Sequence, residues 1–229
     1  MNTNNMRTRV KFCACTSADD ALLAIEAGAD AIGFIFAESP RQITLDAAVE
    51  IIAELPPFVT PVGVFVDPSR EQVVRSLEAV PNFTVQLSGH ESPEFVHELA
   101  VLVKNQSRRI LKVLHIDPAQ VGGKSEESAV ATTYPQATAM FDTKIGNIAG
   151  GTGVTFAWEI IAPLARARRI GVAGGLTPEN VGKCIRAVQP YFVDVRTGIE
   201  TDGRKDPLKM QAFIAAVREA DEARMKETT

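Results

Sequence analysis

The stretch from Val10 to Thr44, VKFCACTSADDALLAIEAGADAIGFIFAESPRQIT, dictates how the whole chain can fold. An apolar run from Val10 to Cys15, broken only by Lys11, reads as a buried strand. Ser17 follows as a helix cap, with Asp20 three residues on as a short capping box. Ala21, Ala24 and Ile25 recur at helical spacing and give the next segment one apolar face. Gly28 suits the left-handed residue that ends a helix. A second apolar run, Ala31 to Phe36, completes the unit. Strand, helix, strand in this order demands a parallel pair joined by a right-handed crossover.

The same grammar recurs to the end of the chain. Strands are predicted at Val10–Cys15, Ala31–Phe36, Pro61–Val66, Phe83–Leu87, Ile110–Leu114, Ala139–Asp142, Ile170–Ala173 and Phe192–Val195. Helices are predicted after each, at Ser17–Ala27, Leu45–Leu55, Ser69–Val80, Pro93–Lys104, Glu126–Thr133, Phe156–Ala165, Pro178–Val188 and Pro207–Ala223. Four of them open on a capping residue and a proline: Asp67-Pro68, Ser92-Pro93, Thr177-Pro178 and Asp206-Pro207. Proline is favoured there because its missing N–H has no partner in the first helical turn. Eight such units predict a (β/α)8 TIM barrel, an α/β fold with a parallel eight-stranded barrel. A doubly wound open sheet is the alternative, but no glycine-rich dinucleotide fingerprint follows the first strand. The expectation is one domain over 1–229, with a polar tail at 1–8 and another at 224–229.

Composition narrows the function classes. The 229 residues carry a formal net charge of −4, which argues against a nucleic-acid surface. No apolar run approaches the roughly 20 residues of a membrane helix. The polar start MNTNNMRTR lacks a signal-peptide core, and three cysteines are too few for a disulfide framework. A cytoplasmic protein is expected. His90, His97 and His115 show no ligand spacing with the cysteines, so no metal is expected.

In a barrel the chemistry sits at the carboxyl ends of the strands, and phosphate tends to bind after the seventh and eighth. There the sequence has Gly174-Gly175 just before a helix and Arg196-Thr197-Gly198. Glycine lets backbone N–H groups approach a phosphate, and a helix start adds a favourable dipole. The plain alternative is a tight strand-to-helix turn. Cys13 and Cys15 are two apart on the first strand, so both should point the same way as Lys11. A thiol there is a candidate proton acceptor; otherwise it is a small hydrophobe, the reading given to Cys184. Asp142, closing an apolar strand before a loop with Gly146, Gly150, Gly151 and Gly153, is a candidate general acid with a raised pKa, or else a loop cap. Arg41 is a candidate clamp for a carboxylate, or a solvated charge. Lys11 and Asp194 are expected to form an internal ion pair across adjacent strands.

Taken together these segments resemble the N-(5′-phosphoribosyl)anthranilate isomerase family over nearly the whole chain. The resemblance is carried by KFCACTSADDALLAIEAGADAIGFIFAESPR, VGVFVDPS, VQLSGHE, FDTKIG with GGTGVTFAW, GVAGGLTPENV, and VDVRTGIE ahead of KDP, in shared order and spacing. It implies that Cys13 is the catalytic base, Asp142 the catalytic acid, and Arg41 the group that holds the anthranilate carboxylate. It also implies phosphate-binding loops at Gly174, Gly175, Thr197 and Gly198, with Gly153 in the substrate-binding set. The chain departs from the family pattern at Ala14, where glycine is usual, at Ser88 and His90, where histidine and an acidic residue are common, and at Arg196, where a small serine is typical. The segment Ile145–Ala149 also sets Lys144 further from Gly150-Gly151 than in the compact motif.

What the resemblance implies is a cofactor-independent aldose–ketose isomerase of tryptophan biosynthesis acting on a small phosphosugar, as a monomer or homodimer. Two other readings stand beside it. A histidine-pathway isomerase runs the same rearrangement but carries an aspartate where this chain has Cys13. A divergent paralogue would bind a phosphorylated ligand without catalysis, a reading favoured by Ala14, Ser88 and Arg196.

Overall fold

The computed structural model describes residues 7–103, 110–117, 133–145, 148–149, 155 and 157–227. Eight parallel strands build it: β1 (Arg9–Phe12), β2 (Ala31–Ile35), β3 (Thr60–Phe65), β4 (Thr84–Leu87), β5 (Ile110–Ile116), β6 (Thr138–Ile145), β7 (Gly171–Val172) and β8 (Phe192–Val195). Each pairs with the next in sequence. β8 then returns to β1, with Lys11 opposite Asp194, and the sheet closes into the predicted (β/α)8 barrel. Among the described residues seven α-helices surround it: α1 (Ala18–Ala27), α2 (Leu45–Ala53), α3 (Arg70–Ala79), α4 (Pro93–Leu102), α5 (Ala162–Ala167), α6 (Val181–Val188) and α7 (Pro207–Glu227). The helix expected at Glu126–Thr133 lies, Thr133 apart, outside the described residues. None of the described helices is long and apolar enough to cross a membrane.

The helix starts follow local hydrogen bonding. Ser17, Thr44, Ser69 and Ser92 each accept the backbone N–H three residues on, as capping residues do. Asp67-Pro68 does not open α3, contrary to expectation. Asp67 is left-handed (φ 45°) and its carboxylate accepts the His90 N–H, so it ties two loops together and leaves the cap to Ser69. After β7 the helix also starts late. The Asn180 side chain accepts from the Thr177 N–H and donates to the Gly175 carbonyl, holding a turn before α6. The helix expected at Phe156–Ala165 is a 3-10 turn, Trp158–Ile160, followed by α5.

Of the two expected tails, residues 7–8 and 224–227 are described, and some of these pack against the barrel. Thr8 is buried, and both its N–H and its hydroxyl donate to Asp221 on α7, at 2.6 and 2.8 Å. Arg224, placed in a tail by its polarity, is buried in the last turns of α7 and pairs with the same carboxylate. One aspartate thus ties Thr8, just before β1, to the last turns of α7.

Buried apolar side chains divide as strand alternation requires. Val10, Phe12, Val193 and Val195 join the large layer between strands and helices, where Phe12 meets Phe213 of α7 edge-on at 5.9 Å. Inside the barrel lie two small clusters, Cys13-Ala14-Ile35-Val64 and Val113-Met140-Ala173-Phe192. Between them Lys11 donates to Asp194 Oδ1 at 2.8 Å, both side chains sealed from water. Removing one partner of such a pair leaves a buried charge without compensation. Asp194→Ala is therefore expected to destabilise the fold by about 3 kcal/mol or more, read by urea denaturation. A loss under about 1 kcal/mol would mean that the pair adds little to closure.

Candidate active site

At the carboxyl ends of the strands the barrel opens into a cavity of about 260 Å³. Cys13, Asp142, Gly174, Gly175, Arg196 and Thr197 all line it, so segments more than 180 residues apart in sequence meet at one mouth. Gly198 lies just behind this lining. A Cβ there would sit 2.0 Å from the Leu176 carbonyl, so only glycine lets the loop after β8 touch the loop after β7. Gly153 lies outside the described residues.

Cys13 follows β1, and its sulfur shares the space above Gly33 with the Lys11 ammonium. Burial pulls that ammonium's pKa down. The Asp194 carboxylate and Cys13 more than reverse this, so Lys11 holds its proton more tightly than an ordinary lysine. A permanent cation thus stands beside the thiol.

Cys15 does not point the same way, as the strand pattern had suggested. Ala14 between them adopts a left-handed backbone (φ 62°), which ends the alternation. Cys15 therefore turns into the strand–helix layer, where burial pushes its pKa up to about 12 and keeps it a thiol. Cys184 is likewise sealed in the core on α6.

Asp142 does not close its strand. β6 continues to Ile145 and pairs antiparallel with Ile148–Ala149. Burial, and next the Asp194 carboxylate, push the Asp142 pKa up to about 7; Arg196, the Thr143 N–H and Lys11 pull the other way. Among the described residues its buried Oδ1 has no hydrogen-bond partner, nor has the neighbouring Thr143 hydroxyl. Both face Gly174, which is left-handed (φ 85°), and a Cβ there would come within 2.6 Å of each. The end of β7 thus presents bare backbone to the Asp142 carboxyl.

Arg41, like Gly198, is not part of the cavity lining. Its guanidinium donates to Glu200, which also accepts from Lys205 at 3.1 Å. Lys205 in turn donates to the Cys13 carbonyl at 2.6 Å. This hub, absent from the sequence reading, fixes the peptide that joins Cys13 to left-handed Ala14. Its signal was the Asp202-Gly203 pair, which makes a two-residue hairpin turn with both residues left-handed and brings Lys205 back to the site. On the opposite wall buried Lys112 donates to the Gly89 carbonyl and to Glu91, both at 2.7 Å, and so shapes the loop that carries Ser88.

The family model described as N-(5′-phosphoribosyl)anthranilate (PRA) isomerase matches residues 10–216. The chain belongs to this family. It is 40% identical to the N-(5′-phosphoribosyl)anthranilate isomerase of Moorella thermoacetica over 96% of this chain and 94% of that one. It is 43% identical to that of a Pseudomonas fluorescens strain, over 92% and 98%. The solved phosphoribosyl anthranilate isomerase of Thermotoga maritima superposes with a TM-score of 0.80 at 35% identity, covering 93% and 99% of the two chains. A phosphoribosyl anthranilate isomerase solved in complex with reduced 1-(o-carboxyphenylamino)-1-deoxyribulose 5-phosphate superposes at 0.77 and 33% identity, with the same coverage.

The raised Asp142 pKa fixes a pH signature in this member of the phosphoribosylanthranilate isomerase family. The folded value near 7 exceeds the unfolded one of 3.8, so protonation favours the folded state. The associated stability is complete below about pH 4 and is lost as pH rises through about 7. Asp142→Asn removes this loss. Its Tm should exceed that of the unaltered chain by about 2 °C or more at pH 8.5, and match it closely at pH 4, in calorimetry. Equal Tm values at both pH values would mean an ordinary, solvated carboxyl.

Proposed function

We propose that this chain catalyses the Amadori rearrangement of N-(5′-phosphoribosyl)anthranilate to 1-(2-carboxyphenylamino)-1-deoxyribulose 5-phosphate, a cofactor-independent step of tryptophan biosynthesis. The observation that carries the reading is one cavity lined by two titratable groups: a carboxyl that keeps its proton near neutral pH, and a thiol beside a buried ammonium. Such a pairing suits one proton donor and one proton acceptor working in the same turnover.

Asp142 gives its proton to the ribose ring oxygen, and the C1–O bond opens to a Schiff base. Cys13, as thiolate, takes the proton from sugar C2, and the electron pair moves into an enolamine. Tautomerisation of the enolamine yields the ketone. The phosphate rests against Gly174-Gly175 and Thr197-Gly198, with Gly153 part of the same substrate-binding set. Arg41, oriented at one nitrogen by Glu200, offers its remaining N–H groups to the anthranilate carboxylate.

A protein that only binds its ligand gains nothing from a desolvated carboxyl that costs stability above pH 7, and this favours catalysis over the paralogue reading. The histidine-pathway reading is weakened by Cys13 at the position where that family carries an aspartate. The direct test is turnover of N-(5′-phosphoribosyl)anthranilate by the purified chain. Cys13→Ser and Asp142→Asn are each expected to lower kcat at least ~100-fold with the cooperative unfolding transition retained. Near-normal turnover in either variant removes that residue from the mechanism, and absence of turnover in the unaltered chain removes the reading.

A further inference from the structure

The cavity contains a cation that nothing among the described residues pairs with. Arg196 lies two residues beyond Asp194, past the end of β8, partly buried against the mouth. Among the described residues it is the one Lys or Arg that lines the cavity. The other cations near the mouth are engaged: Lys11 by Asp194, Arg41 by Glu200, and Lys205 by Glu200 and the Cys13 carbonyl. Arg196 makes no hydrogen bond or ion pair with the described residues. Its acidic neighbour Asp142 holds its proton up to about pH 7 and so supplies little counter-charge below that pH.

A guanidinium carries five donors in a rigid fork that matches the oxygens of a phosphate. The loops beside it, Gly174-Gly175 and Thr197-Gly198, offer backbone N–H groups and a hydroxyl but no formal charge. A phosphate dianion seated on those loops alone would be solvated by dipoles only. We propose that Arg196 is the charged arm of the phosphate site and a specificity-determining residue of this enzyme, gripping the substrate's phosphate from the β8 side.

Arg196 has a second consequence, at Asp142. The groups that face Asp142 are Asp194 and Arg196 from β8 and its loop, Lys11 and Cys13 from β1, His115 from β5, and the Thr143 N–H from its own strand. Arg196 favours the ionised carboxylate. A dianion bound to Arg196 cancels that influence, so Asp142 holds its proton more firmly once the phosphate has arrived. Ligand binding thereby primes the acid. The inference rests on the Amadori reading for the molecule that carries the phosphate, but not for phosphate affinity itself.

The test is calorimetric titration with inorganic phosphate of the unaltered chain, Arg196→Gln and Arg196→Lys, with anthranilate as a carboxylate probe. Arg196→Gln should weaken phosphate binding by about tenfold or more, with Arg196→Lys intermediate and anthranilate affinity unchanged. Phosphate Kd values within twofold across the three chains, or a loss confined to anthranilate, overturn the assignment. The Asp142 carboxyl, followed by ¹³C NMR, should titrate at higher pH in Arg196→Gln than in the unaltered chain. It should also titrate at higher pH in the unaltered chain once phosphate is added; no movement in either case overturns the coupling. Should Arg196→Gln fail to fold, the guanidinium resonance missing from Arg196→Lys must shift on phosphate addition to the unaltered chain, and a stationary resonance rejects the proposal. If the unaltered chain turns over no phosphoribosylanthranilate yet Arg196→Gln loses phosphate, the Amadori reading fails and this inference stands. If the unaltered chain does turn it over and Arg196→Gln keeps its phosphate Kd, the Amadori reading stands and this inference fails.

Discussion

The ion pair between Lys11 and Asp194 joins the first strand to the last across the inside of the barrel, and the chemistry of the mouth depends on it. Its geometric part is closure: β1 and β8 meet in register with these two residues opposite each other. Its electrostatic part reaches both candidate groups. The ammonium lies beside the Cys13 sulfur, while the carboxylate, second to burial, helps raise the pKa of Asp142. One buried pair therefore adjoins both candidate groups, and its carboxylate disfavours charge on the second. Desolvation makes such a pair a poor source of stability compared with a packed apolar core. Its retention inside a barrel whose remaining contents are mostly apolar accords with an electrostatic role at the mouth.

A second constraint acts on the peptide that follows Cys13. Ala14 holds a left-handed conformation that alanine adopts at a cost of order 1 kcal/mol, and Lys205 clamps the carbonyl just before it. The clamp is oriented by Glu200, which also holds Arg41. The loops after β1, β2 and β8 are thereby tied through a single carboxylate. This turn separates Cys13, facing the cavity, from Cys15, sealed behind the sheet. Two thiols that look equivalent in the sequence have unequal environments because one intervening residue changes hand.

Much of the fold was legible from local patterns. Apolar runs of four to six residues, capping serines and the Gly28 terminator placed β1, α1 and β2 to within a few residues. The β8 prediction, Phe192–Val195, coincides with the strand itself. Errors arose where a side chain chose a distant partner over a local one. Asp67 bonds to His90 and does not cap α3, and Asp221 on α7 takes both donors of Thr8. No periodicity encodes such choices, because the competing partner lies 20 to more than 200 residues away. Of the candidate site, the sequence pointed to Cys13, Asp142, Gly174, Gly175 and Thr197 as residues of strand ends, and these share the cavity. The Glu200–Lys205 hub escaped notice because each of its members alone reads as a solvated surface charge.

The sequence by itself determined the repeated strand–helix unit, and with it a barrel, since eight parallel strands with covered faces have few other ways to bury their edges. It also determined which residue types stand at the strand ends. What only the tertiary structure decided is their ionisation and partnership: that Asp142 is desolvated beside Asp194, that Lys11 stands by Cys13 and not by Cys15, and that Arg196 is left with empty donors among the described residues. The physical reason is range. Backbone preference acts over a few residues along the chain, whereas burial and Coulomb interaction act over a few ångströms in space, and closing the barrel is what makes those neighbourhoods differ.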